Sequence, residues 1–199
     1  MPLGTLRRIF EAAGASLVVD VRWRGGELEH LRDARHAQLS AAFARMAEGL
    51  GWTAIPEYTY SEFGERGSID LLCINRPLLA IAVIEIKSEL LSLEATLRKH
   101  DEKVRLAPAL VQRQLGWRPR AVARVLVLPD TSTARRRVAA ARSLLDIALP
   151  ARAVELRAWM KRPLGVVGGI WFLPDTTVSR ASKLSTSARR VRRPRGGSG

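Results

Sequence analysis

Asp70 stands at the head of one apolar run, and Glu85-Ile86-Lys87 closes the next. Two carboxylates and an amine in one place can hold a hard divalent cation and stabilise charge on phosphorus, as metal-dependent cleavage of a phosphodiester requires. The two runs, Ile69 to Ile74 and Leu79 to Lys87, are rich in branched apolar residues, and Asn75-Arg76-Pro77 between them reads as a turn. Antiparallel pairing about that turn puts Asp70 opposite Glu85, to within a residue. Side chains alternate across a strand, so Glu85 and Lys87 share a face while Ile84 and Ile86 point to the other. A slip of one residue would send the partners to opposite faces. An isolated D…ExK pattern is more often a pair of solvated strand ends than a site. Here the ExK follows an unbroken apolar stretch, where an idle charge is costly, and polar residues flank it on both sides, Gly64 to Ser68 and Ser88-Glu89.

The elements that must hold these residues follow from periodicity. Leu6 to Gly14 reads as a short amphipathic helix and Ser16 to Trp23 as a strand closed by Gly25-Gly26. A long helix is expected from about Leu28 to Leu50, with Leu39, Phe43, Met46 and Leu50 on one face and Gly51 at its end. Three strands follow, Thr53 to Ser61, Ile69 to Ile74 and Leu79 to Lys87. A helix from about Leu91 to Leu115 ends at Gly116, with Pro108 expected to break or kink it. Ala121 to Leu128 reads as a buried strand and Thr133 to Leu149 as a helix stopped by Pro150. Glu155 to Met160 and Gly169 to Leu173 read as a final pair of strands, with Gly165 to Gly169 as a hairpin turn. The pattern implies an α/β domain over residues 1–175, a central mixed sheet flanked by helices, followed by a tail, 176–199.

Composition bounds the partners. The chain has 199 residues, 47% hydrophobic, and a net charge of +14 with a pI near 11.4. So basic a surface attracts polyanions through a long-range, salt-sensitive field, with nucleic acid first among them and DNA ahead of RNA. Half of that excess lies after Asp175, where Arg180, Lys183, Arg189, Arg190, Arg192, Arg193 and Arg195 occur with no acidic residue among them. Low apolar content and the closing Arg-Gly-Gly-Ser-Gly imply a disordered, sequence-indifferent phosphate binder. Lone Cys73, among apolar neighbours, is expected to be a buried thiol. No apolar run is long enough to span a bilayer, and no leader pattern opens the chain, so a cytoplasmic protein without membrane partners is expected.

The order helix, three antiparallel strands, helix, strand, with Gly67-Ser68-Ile69-Asp70 and Glu85-Ile86-Lys87 at corresponding ends, resembles the core of the PD-(D/E)XK nuclease superfamily over about Leu28 to Leu128. Ile69 stands where the family name has proline. A closer resemblance is to the carboxy-terminal region that follows a helix-turn-helix domain in actinobacterial regulators of the Cro/C1-like (XRE) class. It is carried by Val21 to Leu28, Asp33-Ala34-Arg35-His36, Gly64 to Asp70, Ile84 to Lys87 and Lys103 to Ala107. Leu6 to Gly14 is too short to be that helix-turn-helix, so either the gene encodes the second domain alone or the chain begins at an internal start.

The superfamily resemblance implies a restriction-endonuclease-like core in which Asp70, Glu85 and the Ile86 carbonyl hold Mg²⁺ or Mn²⁺ and Lys87 positions or activates the attacking water. It also implies an additional acidic residue, for which Glu48, Glu57, Glu62 and Glu65 are all candidates. From the residues themselves, Arg66 before Asp70, and Lys99 with Lys103 one helical turn further on, are candidate phosphate contacts, as are the tail arginines Arg189, Arg190, Arg192 and Arg193. His36, in the first turns of the long helix, is a secondary candidate. Tyr58 and Tyr60 alternate before the site, where core packing is favoured over base stacking. His30, His36 and His100 lack zinc spacing, and no glycine-rich stretch matches a phosphate loop. Two classes of function remain: a metal-dependent nuclease, or a noncatalytic DNA-binding, transcription-regulator module that keeps the nuclease fold. Either is compatible with a homodimer.

Overall fold

A computed structural model of the protein describes residues 26–62 and 64–174, with isolated helical positions at 5, 10 and 12. The chain divides into two compact units, Met1–Leu31 and Arg32–Gly199. The first is described mainly in residues 26–31, which are helical. The expected helix over Leu6 to Gly14 is described only at positions 10 and 12, both helical, and the strand over Ser16 to Trp23 and the tail arginines Arg189, Arg190, Arg192 and Arg193 lie outside the described residues.

The elements are α1 (Gly26–Glu48), β1 (Thr53–Glu62), β2 (Glu65–Asn75), β3 (Ala80–Ile86), α2 (Leu93–Leu115), β4 (Ala121–Pro129), α3 (Ser132–Ala140), α4 (Arg142–Ala148), β5 (Ala151–Arg152), α5 (Ala153–Lys161) and β6 (Val166–Leu173). The six strands form one mixed sheet in the order β1-β2-β3-β4-β6-β5. β1, β2 and β3 pair antiparallel, whereas β3, β4, β6 and β5 run parallel. The protein is therefore α/β, with a central mixed sheet flanked by helices.

Alternation along β3 divides the core. Ala80, Ala82, Ile84 and Ile86 pack on one face with Leu39, Phe43 and Ala47 of α1 and with Leu156 and Met160 of α5. Ile81 and Val83 pack on the other with Leu106, Ala107, Leu110 and Val111 of α2. Glu85 lies on the α2 side by the same alternation. All seven residues of β3 are buried, as expected of a strand covered on both faces. Cys73 is buried mid-strand, and burial, with a smaller push from Glu48, raises its thiol pKa to about 12, so it is inert in the folded state.

α2 begins where the Ser92 side chain accepts the Ala95 N–H at 3.4 Å and ends where Gly116 turns left-handed (φ 75°), its N–H donating to the Gln112 carbonyl. Pro108 does not break it. One missing helix hydrogen bond is outweighed by the buried stripe of Leu106, Ala107, Leu110 and Val111 on either side.

Three other expectations are corrected. Glu155 to Met160 is helical, within α5: Leu156 and Met160, four apart, face the core, and the Glu155 carboxylate accepts the Arg152 N–H at 2.7 Å to close the first turn. Thr133 to Leu149 is two helices, because Ala141 (φ −107°, ψ 20°) leaves the helical region, and Leu145 and Leu149 then pack with Leu126 and Leu128. The segment from Gly165 is not a hairpin turn. β6 runs parallel to β4, so Gly165 (φ 60°) ends a crossover through α5, and Gly168 and Gly169 are strand residues.

Candidate active site

The hairpin that carries the two carboxylates is set by its turn. Asn75 pairs with Ala80, its side-chain oxygen accepts the Leu78 N–H at 3.2 Å, and the Leu79 N–H donates to the Arg76 carbonyl at 3.0 Å. From there the ladder runs without a bulge to Leu71 opposite Ile84, so the next pair outward is Asp70 and Glu85. At this point the regular pairing gives way. The Ile86 N–H donates to Asp70 Oδ2 at 2.8 Å, a carboxylate taking the place of a strand carbonyl. The N–H and C=O of one residue in an antiparallel strand face the same neighbour, so the Ile86 carbonyl faces this opening too.

The second oxygen of each carboxylate converges on a single atom, Lys103 Nζ of α2, 3.0 Å from Asp70 Oδ1 and 2.6 Å from Glu85 Oε2. Glu85 Oε1 is bound by Lys87 Nζ at 2.7 Å. The side chains grade from inside to outside: Glu85 is 2% exposed, Lys103 11%, Asp70 14% and Lys87 35%. Two carboxylates and two ammonium groups thus form a neutral quartet, and each of the four carboxylate oxygens has one partner. Burial works against the Lys103 charge, but the charges and hydrogen bonds of Asp70 and Glu85 outweigh it, and its pKa lies above the ordinary lysine value.

Around the quartet lies a buried polar set. His100, one turn before Lys103, donates from Nε2 to the Val83 carbonyl at 3.0 Å. Tyr60 of β1 is buried, and its hydroxyl donates to Glu102 Oε1 at 3.0 Å. Burial, then the Glu102 bond and the charges of Glu102, Glu65 and Glu85, push the phenol up to about 12, so it is a donor and not a base.

The other sequence candidates fall as follows. Lys103 is buried and not on the surface, its ammonium paired with Asp70 and Glu85. Lys99, four residues earlier, is exposed on α2, and Arg66 is exposed on β2. Of the candidates for a further acid, Glu48 is exposed at the end of α1, and Glu65 is held by both of its oxygens at 3.0 Å by Arg105 Nη2. Glu57 stands opposite Asp70 in register, but its backbone is left-handed (φ 48°) and its side chain exposed. The side chain of Glu62 lies outside the described residues. His36 is half-buried on α1, one turn before Leu39, and one turn after Arg32, which binds Glu89 Oε2 at 3.1 Å beyond the end of β3. Tyr58 is half-buried and hydrogen-bonds Gln114.

The sequence did carry a signal for Lys103. The buried stripe of α2 runs Thr96, Leu97, His100, Lys103, Leu106, Ala107, Leu110, Val111, and a lysine inside such a stripe must find a counter-charge.

A metal could be held here only by few ligands. Among the described residues no three of His, Cys, Asp and Glu converge on one point. Two carboxylates and one backbone carbonyl suit a hard ion that keeps several of its waters, as Mg²⁺ does, and do not suit zinc. That Asp70 Oδ1 and Glu85 Oε2 both reach one cation already is the geometric test they pass. A cavity of about 490 Å³ between α3, α4 and β5, lined in part by Arg135, Arg142, Leu149 and Phe172, contains none of these residues. Comparison of the chain with protein-family models, with curated proteins and with solved structures gives no match.

Proposed function

We propose that this protein hydrolyses phosphodiester bonds of nucleic acid, with DNA the favoured substrate class over RNA, using Mg²⁺ or Mn²⁺ held by Asp70, Glu85 and the Ile86 carbonyl. One observation carries the reading: carboxylates from two neighbouring strands reach a common point at the mouth of the β2–β3 hairpin, and a partly exposed amine, Lys87, lies beside them. The ion supplies Lewis-acid polarisation of the phosphate and a lowered pKa for water. The chain supplies the rest. Lys87, reachable from solvent, places a fixed positive charge where charge develops on phosphorus as water adds and the P–O bond to the leaving group breaks. Arg66 and Lys99, both exposed, and the tail arginines Arg189, Arg190, Arg192 and Arg193 bind flanking phosphates without reading bases. No helix among the described residues is long and apolar enough to cross a membrane. A reduced, buried Cys73 fits a cytoplasmic setting.

A second reading has an observation of its own. Lys103 and Lys87 together already neutralise the pair and no third acid joins it among the described residues, as would suit a regulatory DNA-binding module that keeps the nuclease fold. Metal titration and cleavage assays on single-stranded, duplex and branched DNA and on RNA separate the two. The enzyme reading expects Mn²⁺ binding that Asp70→Ala abolishes, cleavage with Mg²⁺ or Mn²⁺, and binding without turnover for Ca²⁺. It also expects Lys87→Ala to bind metal normally and to cleave about 100-fold more slowly or worse. Identical background activity for wild type and Lys87→Ala on every substrate establishes the regulatory reading.

A further inference from the structure

We infer that Lys103 is a built-in counter-cation of the site: its ammonium fills the point between Asp70 and Glu85 while no divalent ion is bound, and it must leave that point for an ion to be held by the same two carboxylates. This rests on the metal reading above and adds to it a means of control.

The argument is one of occupancy. Asp70 Oδ2 is tied to the Ile86 amide, which the sheet fixes, and Glu85 Oε1 is tied to Lys87. Only Asp70 Oδ1 and Glu85 Oε2 point to a shared centre, and Lys103 Nζ is there at 3.0 and 2.6 Å. A divalent ion and an ammonium cannot share so small a space, since the repulsion between them is barely screened where Glu85 is 2% exposed. The lysine stem is a flexible four-carbon chain, so its head can swing while α2 stays in place.

The displaced ammonium needs a new anion, and a phosphodiester entering over Asp70 and Glu85 brings one. Metal and polyanion therefore bind with positive coupling: the phosphate gives Lys103 a reason to leave, and the ion takes its place. By linkage each ligand raises the affinity for the other equally. In the absence of nucleic acid the site is neutral, closed and weak for metal.

The test uses the full chain and Mn²⁺ alone. Calorimetric titration of wild type, Lys103→Met and Lys103→Gln should give at least tenfold tighter Mn²⁺ binding in the neutral variants. The Gln variant retains a donor to the carboxylates in case Met at this position prevents folding. Independently, wild-type protein treated with an amine-acylating reagent and analysed by mass spectrometry should be protected at Lys103 without metal and modified there at Mn²⁺ saturation. Equal, measurable Mn²⁺ affinity in folded wild type and variants, or an unmodified Lys103 in Mn²⁺-saturated wild type, overturns the counter-cation role and leaves the metal site standing. No Mn²⁺ binding by any of the folded proteins overturns both.

Discussion

His100 shows how a single buried group can make stability depend on pH. Its Nε2–H donates to the Val83 carbonyl, and its Nδ1 is buried with no partner. Burial drives the imidazole pKa down to about 3; the Val83 hydrogen bond opposes this, and the nearby Arg124 and Lys103 charges reinforce it. In the unfolded chain the ring titrates near its ordinary value of about 6.5. Between these values the unfolded state binds a proton that the folded state refuses, so stability falls as pH drops through the window. The contribution lost from this residue between pH 7 and pH 5 is about 2 kcal/mol. Urea unfolding of wild type and His100→Gln at both pH values checks it. Gln keeps a donor for Val83 and cannot take up the proton, so the variant should lose correspondingly less stability on acidification. An equal fall in both proteins refutes the assignment.

Among the elements, the β1–β2 hairpin explains a glycine in the Gly67-Ser68-Ile69-Asp70 segment. Gly67 stands opposite Tyr60, and a Cβ there would lie 2.6 Å from the Tyr60 hydroxyl oxygen and 2.8 Å from Cζ. The Tyr60 ring is buried against α2, where its hydroxyl meets Glu102, so it has little room to retreat. Gly67→Ala should destabilise the protein by about 1–3 kcal/mol, as overpacked cores do. Thermal melting measures the loss, and adding Tyr60→Leu should return part of it, giving a coupling that independent sites would not show. The carboxylate pair was legible in the sequence because everything that places it is local: a turn, two apolar runs and alternation put Asp70 and Glu85 together, one step beyond the last ladder pair, Leu71 and Ile84. Lys103 was misplaced on the surface because its contacts span 33 and 18 residues and depend on how α2 rolls against β3, which spacing from Lys99 does not reveal. α5 was misread for a related reason. The short stretch from Glu155 to Met160 satisfies a strand pattern as well as a helical one, and only packing of Leu156 and Met160 on the sheet decides.

At the scale of the whole molecule, the proposed binding of nucleic acid rests on charge. Several cations of the described residues are spent on neighbours, Arg105 on Glu65, Arg124 on Asp101, Arg135 on Asp130 and Arg142 on Asp146. The seven tail cations have no acidic residue near them in sequence and make up half of the net +14. Truncation after Pro174 should weaken binding to unrelated DNA sequences by a similar factor and flatten the dependence of log K on log salt. Filter binding or anisotropy at several salt concentrations measures both, and unchanged affinity and slope refute the tail's part.

The bond between the Ile86 amide and Asp70 has a consequence for solvent hydrogen exchange. β3 is buried on both faces and flanked by β2 and β4, so its amides belong to the set that opens only with the largest unfolding units. Within that slow set the Ile86 amide alone is held by an ionisable side chain instead of a backbone carbonyl. Anything that loosens the Asp70 carboxylate frees this one proton while its neighbours stay locked. The protein thus carries, at the end of a fully buried strand, a native reporter of what its carboxylate pair is holding.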